Sequence, residues 1–372
     1  MGKDIIKIIL ASENDKALWD SYVKEHKDAT PYHTYAWKQA VEAAYGHGGY
    51  YFIAVVDRGK DSTRKAVGIL PLIHLKIPFG RGALISLPFC DAAGPLSDNK
   101  DIEQQLITVA LALGKEIGVN EIELRTSKSE FELKTDTSHV ETHSLKVRMF
   151  LDLPDCPARI GSGGSEKLLK SFKSKLRSQI KKPEKDGLRF EWGDINKLDD
   201  YYKVFSINMK DLGSPVHSRM WFRSVLNFYA DKVRMGLVYL EQQLISCGII
   251  LIVNNVVTIP WASTLRKYNH LSPNMMLYWN FLAFASDSGY ARVDFGRSTP
   301  NEGTYKFKTQ WGANPYPLHW HHIYVSKIKS IKKTNIQDTR SAKREIAANL
   351  WSKLPLCVAN TLGARIRKYI SL

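Results

Sequence analysis

A seven-residue pattern, Pro-x-His-[Ser/Thr]-x-x-Trp, occurs at Pro31–Trp37 and again at Pro215–Trp221, 184 residues apart. Two further pairs follow in the same order: Val67–Ile73 with Cys247–Val253 at a spacing of 180, and Gly118–Leu124 with Gly289–Phe295 at 171. One such match arises easily by chance, but three collinear matches with shrinking spacings point to a tandem duplication whose loops have changed length. Each copy must bury its own apolar face, so the chain is expected to fold as two similar domains. Its 372 residues, 44% of them hydrophobic, suffice for two cores.

Within each copy the order is helix, hairpin, strand, helix, strand. After a first strand near Ile5–Leu10, Ser12–Lys27 has helical spacing, and Pro31 suits the first turn of a helix reaching about Tyr45. Tyr50–Asp57 and Ala66–Ile77 read as a hairpin turning at Gly59–Asp61, Leu84–Phe89 as a strand, Ile102–Ile117 as a helix and Glu121–Arg125 as a strand. The second copy repeats this with Lys232–Leu240, Leu244–Val253, Val256–Ala262, a helix from Ser272 to about Ser288, and a short strand before Asp294. The expected class is α/β (α+β), two tandem units, each a mixed sheet flanked by helices. The expected boundaries are 1–160 and 191–326, a basic linker and helix at 161–190, and a basic tail at 327–372. In the linker Gly161–Ser165 is a flexible joint, and Lys167–Lys182 reads as one helix with Leu168, Phe172, Leu176 and Ile180 on one face and cations on the others.

The formal net charge of +16 favours anionic partners: nucleic acid, phosphorylated cofactors or an acidic membrane surface. The tail carries eleven Lys and Arg against Asp338 and Glu345. Cys90, Cys156, Cys247 and Cys357 lack ligand spacing and read as reduced, mostly buried thiols of a cytoplasmic protein. His319, His321 and His322 have no carboxylate or cysteine at ligand spacing, so no metal is expected.

The stretch Asp294–Gly312 is the candidate site. It follows a helix and a short strand and packs Arg297, Tyr305, Lys306, Lys308 and Trp311 with glycines into one connection. Arg297 suits a phosphate or carboxylate, and Trp261 and Tyr305 could wall an acceptor pocket, with core packing the plainer role for Trp261. Upstream, Ser272 as N-cap and Pro273 as first helical residue, followed by Asn274, would open a helix whose free amides join Arg266 and Lys267 in an anion site. His33 and His217 invite a general-base reading because they repeat, but helix-entry histidines are usually structural.

The duplicated unit, Leu271-Ser-Pro-Asn274, and Asp294-Phe-Gly-Arg-Ser-Thr-Pro300 with Gly303-Thr-Tyr-Lys-Phe-Lys-Thr-Gln-Trp-Gly312 resemble the FemAB-like transferases over about residues 30–325. The likeness is greatest to the branch associated with exosortase/PEP-CTERM exopolysaccharide systems. This resemblance implies tandem acetyltransferase-like (GNAT) folds and transfer of an aminoacyl group from charged tRNA to an amine of a peptidoglycan precursor. The family's Phe-Lys-x-x-[Phe/Trp]-Gly pattern falls on Phe307, Lys308, Trp311 and Gly312, giving Lys308 the task of stabilising the carbonyl oxyanion. On that role, Lys308→Ala is expected to lose activity and keep the fold. Gly-Pro-x-x-Asp falls on Gly94, Pro95 and Asp98, implying Asp98 as acceptor of the amine's proton; as a turn residue it equally suits a cap of the helix at Ile102. Ala93 and Val41 stand where the family carries basic residues, and its lysine-rich helical arm is not evident. The Gln/Arg-x-x-Gly-x-Gly/Ala signature of acyl-CoA binding is missing too, which leaves the donor open between acyl-CoA and aminoacyl-tRNA.

The expectation is a cytoplasmic N-acyltransferase or aminoacyltransferase, peripheral to the inner membrane in one reading, acting on an amine of a small-molecule or lipid-linked cell-envelope or exopolysaccharide precursor. tRNA and an anionic membrane are the larger partners it implies, and no DNA is expected. The alternatives are an acyl-CoA-dependent sugar-amine N-acetyltransferase and a non-catalytic basic RNA-binding or scaffold protein.

Overall fold

A computed structural model describes residues 5–58, 63–78, 80–128, 139–154, 163–325 and 345–371. The Gly59–Asp61 turn, the start of the Gly161–Ser165 joint, Cys156 and the tail as far as 344 lie outside the described residues. The chain divides into two compact units, one drawing on 1–147, 316–331 and 369–372, the other on 148–315 and 332–368.

With elements numbered in chain order, the first unit holds α1 Lys16–Glu25, α2 Tyr35–Tyr45, α3 Lys100–Glu116 and an eight-stranded sheet. Its strands run in the order β1 Ile6–Leu10, β2 Gly49–Arg58, β3 Thr63–Leu75, β4 Ala83–Ile85, β6 Glu121–Thr126, β15 His319–Tyr324, β7 His139–His143, with β5 Leu96–Ser97 paired to β3. Strand alternation sorts the side chains. Phe52, Ala54 and Val56 of β2 meet Ile102, Leu106 and Ala110 of α3 in one core. On β2 the intervening Tyr51 packs against Trp19 and Tyr35 of α1 and α2.

The second unit holds a seven-stranded sheet in the order β14 Asn314–Pro317, β8 Val147–Asp152, β13 Arg292–Ser298, β12 Val256–Thr264, β11 Gln243–Val253, β10 Val233–Leu240, β9 Leu188–Gly193. Its helices are α4 Gly164–Ser171, α5 Ser174–Lys185, α6 Leu198–Asp211, α7 Arg219–Tyr229, α8 Pro273–Asp287, α9 Gly303–Gln310 and α10 Leu356–Arg367, the last preceded by a helical stretch at 345–352.

The duplication is visible element by element. α2 and α7 are both 11 residues long and begin 184 residues apart. The β2–β3 ladder slips between Ala54 and Val55, and the β10–β11 ladder between Val238 and Tyr239, again 184 apart. Each copy has a parallel contact, β4 with β6 and β12 with β13, each over three residue pairs. Both sheets are mixed and helix-flanked, as the sequence led us to expect.

Four local expectations need correction. Pro31–His33 is a separate 3-10 turn and α2 starts at Tyr35, because Thr34 between them is extended at ψ 149. Lys167–Lys182 is two helices, interrupted where Phe172 turns inward against Trp279 and Trp311. Leu84–Phe89 is strand only to Ile85, since Leu87 and Phe89 take left-handed backbone. Ser272 is also left-handed, at φ 55, and its side chain caps nothing. Cys90 and Cys247 are buried thiols, whereas Cys357 is exposed.

Candidate functional site

The Asp294–Gly312 stretch is not an open connection but the end of β13, a turn, and helix α9. Asp294 explains why. Its carboxylate, 1% exposed, accepts from Arg148 Nη2 at 2.5 Å and from the Gly296 amide at 2.8 Å. The second bond curls the chain back on itself, and Gly296 takes φ 72, a conformation that favours glycine. Just past this turn, the Gly296 and Arg297 carbonyls accept from Lys308 Nζ at 3.1 and 2.8 Å. Lys308 projects from α9 and is 6% exposed.

This ammonium lies where the sheet opens. β12 and β13 pair only from Val256–Arg292 to Thr258–Asp294, so the two carbonyls held by Lys308 follow the last ladder pair. Three buried polar atoms on these elements, Thr258 Oγ1, Ser298 Oγ and Trp311 Nε1, have no hydrogen-bond partner among the described residues. Buried polar groups are normally satisfied, so these three are exceptions within the second unit.

Around Lys308, Phe307 meets Tyr278 edge-on at 5.0 Å and Trp311 at 6.2 Å. Burial pushes the Tyr278 phenol up to about 12, so it stays neutral. Trp311 is fully buried against Phe172 rather than presented on a surface. Tyr305 is half-buried, Lys306 is exposed, and Arg297 is half-buried on β13. The start of α8 lies next to α9, with Gln310 Nε2 donating to Met275 Sδ at 3.5 Å.

Ser272 and Asn274 are half-buried at that helix start. Arg266 and Lys267 are exposed on the 3-10 segment Arg266–Leu271 and line a cleft of about 610 Å³ with Asp200, Lys203, Asp211 and Gln243. Lys182 of α5 donates to the His270 carbonyl at 3.3 Å, which brings the basic helix to the same segment. Trp261 is half-buried in an aromatic cluster with Phe222 at 5.3 Å and His217 at 6.4 Å. Asp98 lies in the other unit. Its carboxylate accepts from the Tyr22 phenol at 2.9 Å, while the helix cap at Ile102 is supplied by Asn99.

The paired histidines are structural. The Thr30 amide donates to His33 Nδ1 at 3.0 Å, so the proton sits on Nε2, which donates to the Gly94 carbonyl at 2.9 Å. His217 is 3% exposed and stacked on Trp221; burial, helped by the Arg367 charge, holds its pKa well below the usual histidine range. Sequence reasoning missed the work of Asp294. Asp294 left a signal, an aspartate two residues before a glycine, which is an Asx-turn pattern.

Residues 170–309 match the family model described as an acetyltransferase (GNAT) domain. The structure titled FemX aligns at a TM-score of 0.57 with 12% identity, over 85% of this chain and 96% of that one. A conserved protein of unknown function from Bacteroides thetaiotaomicron aligns at 0.55 with 8% identity, over 86% and 100%. L-PGS from Bacillus licheniformis aligns at 0.53 with 11% identity, over 93% and 98%. At these identities the structural likeness speaks to the fold. No curated protein sequence matches the chain. Among the described residues no helix is long and apolar enough to cross a membrane. With the domain match covering β13, Lys308 and the α8 start, the chain carries an acyltransferase domain of the GNAT superfamily and is a transferase of that type.

Proposed function

We propose that this chain moves an acyl or aminoacyl group onto an amine of a cell-envelope or exopolysaccharide precursor. The observation that carries the reading is the Lys308 ammonium, buried and held by two carbonyls where β12 and β13 part. The amine attacks the carbonyl carbon of the donor ester or thioester, negative charge develops on the carbonyl oxygen, and collapse of the intermediate breaks the C–O or C–S bond, releasing the tRNA hydroxyl or the CoA thiol. An ammonium already held in place stabilises that charge without reorganising, an effect worth about 10²–10³ in rate for one such donor. Arg266, Lys267 and Lys182 at the α8 entry suit the donor's phosphates. Asp98 keeps its proposed role as acceptor of the amine's proton, with Tyr22 holding one carboxylate oxygen. Arg297, Tyr305 and Lys306 are the proposed acceptor contacts.

The test is a competition between acetyl-CoA and labelled aminoacyl-tRNA for the purified chain, followed by transfer assays with Lys308→Met and Asp98→Asn. Charged tRNA binding better than uncharged tRNA supports aminoacyl transfer; acetyl-CoA binding that survives raised salt supports the sugar-amine N-acetyltransferase. In either case Lys308→Met is expected to lose about 10²-fold or more in turnover. Because Lys308 also donates to the Gly296 and Arg297 carbonyls, the same change is expected to cost about 2–4 kcal/mol in a urea melt while the fold is kept. Turnover must therefore be read where the variant is fully folded. Unchanged turnover there removes Lys308 from the mechanism. Salt-sensitive RNA binding with no transfer from either donor would instead favour the scaffold reading.

A further inference from the structure

Glu121 and Glu123 lie on the face of β6 opposite Ile122 and Leu124, whose side chains enter the α3 core. β15 runs antiparallel beside β6, with His322 paired to Glu123 and Tyr324 to Glu121. One imidazole and two carboxylates thus meet on one sheet face, and their ligating atoms all lie within 4.8 Å of one another. His322 Nδ1 is 3.5 Å from Glu121 Oε2. Glu123 is 6% exposed, and its Oε1 takes the Arg125 Nε–H at 2.6 Å. From the far side of β15, β7 brings His143, whose ring meets that of His322 edge-on at 4.9 Å. The neighbouring Glu141 is engaged by Tyr324 and His139.

The second copy supplies an internal comparison. Its residue at the Glu123 position, 171 further on, is Asp294, and the partner there is Arg148, a permanent cation. In the first copy Glu123 likewise has an arginine partner, Arg125, but a second carboxylate, Glu121, and the His322 imidazole stand beside that pair. With His322 neutral, Glu121, Glu123 and Arg125 together carry one uncompensated negative charge beside an imidazole.

We propose that Glu121, Glu123 and His322 form a divalent-cation site, of the imidazole–carboxylate kind that takes Zn²⁺. The neutral His322 imidazole would offer a ring-nitrogen lone pair to the ion, and the two carboxylates would supply the compensating negative charge. Arg125 then orients Glu123 from behind, as outer hydrogen bonds do around metal ligands. A bound ion would tie the late strand β15 to β6.

Equilibrium dialysis of the full chain against Zn²⁺, with metal analysis and thermal melts, tests this on wild type, Glu121→Gln, His322→Ala and the control His319→Ala. His319 lies on the opposite face of β15, stacked with His321. Wild type and His319→Ala are expected to retain about one zinc per chain near neutral pH, and Glu121→Gln and His322→Ala to bind about tenfold or more weakly. Zinc should raise the melting temperature of wild type and not of His322→Ala, and retention should fall as acid protonates the imidazole. Should one variant fail to fold, the other carries the test. Equal retention by all four proteins would be adventitious histidine binding and would overturn the site, as would no retention by wild type.

Discussion

His33 shows how a residue that looks catalytic by pattern is claimed by structure. Its Nδ1 accepts from the Thr30 amide and its Nε2–H donates to the Gly94 carbonyl, so both nitrogens serve to join the Thr30 turn to the Gly94 loop. A general base needs a free lone pair facing the proton it takes, and here that lone pair is occupied. His33→Leu is expected to cost about 1–3 kcal/mol in a denaturant melt and to leave the shape of the pH–rate profile unchanged. A lost limb in that profile would return His33 to the chemistry. The recurring pattern around His33 and His217 was legible in sequence, but its tautomer logic was not, because the Gly94 acceptor lies 61 residues away. Lys308 is the converse. Spacing and resemblance singled it out, but not its two carbonyl partners, which depend on the left-handed Gly296.

At the scale of elements, the second repeat match turns out to be a packing requirement. Gly68 on β3 and Gly248 on β11 occupy equivalent strand positions, 180 residues apart, each beneath a helix. A Cβ at Gly68 would come 2.7 Å from Ile102 Cγ2 of α3, and one at Gly248 would come 2.9 Å from the Trp261 carbonyl and 3.0 Å from Phe281 of α8. Both helices sit low on their sheets because these positions have no side chain. Gly68→Val and Gly248→Val are each expected to destabilise by about 1–3 kcal/mol or more. Gly303→Ala, where nothing lies within 4 Å of the added carbon, should melt as wild type does. Similar midpoints for all three variants would mean that the helices can shift to accommodate a side chain. Strands such as these, with a clear apolar pattern, were legible. β8 and β15 were not, because their partners lie far off in the chain, and β15 carries three histidines among its six residues.

For the molecule as a whole, the net charge of +16 coincides with an uneven spread of exposed apolar side chains. Of fifteen large apolar side chains exposed among the described residues, five lie within 345–371: Ile346, Leu350, Val358, Leu362 and Ile366. On α10, Val358, Leu362 and Ile366 recur every fourth residue, while Ala359 and Gly363 on another face are buried, Gly363 close to Val216. The helix is therefore anchored by one face and shows an aliphatic stripe on the other, with Arg365 in the same turns and Lys353 and Lys368 at its two ends. Aliphatic side chains beside cations suit the interface of an anionic bilayer, where insertion and charge attraction add. We propose that this stripe is a membrane contact, consistent with a lipid-linked acceptor. Flotation with anionic vesicles should carry wild type, and Leu362→Glu with Ile366→Glu should abolish it while leaving the melt unchanged. Raised salt should weaken wild-type binding without eliminating it, since only the charge component is screened. Equal flotation of the double variant would remove α10 from the membrane, and a wild-type dimer dissolved by the same substitutions would assign the stripe to a second copy of the chain.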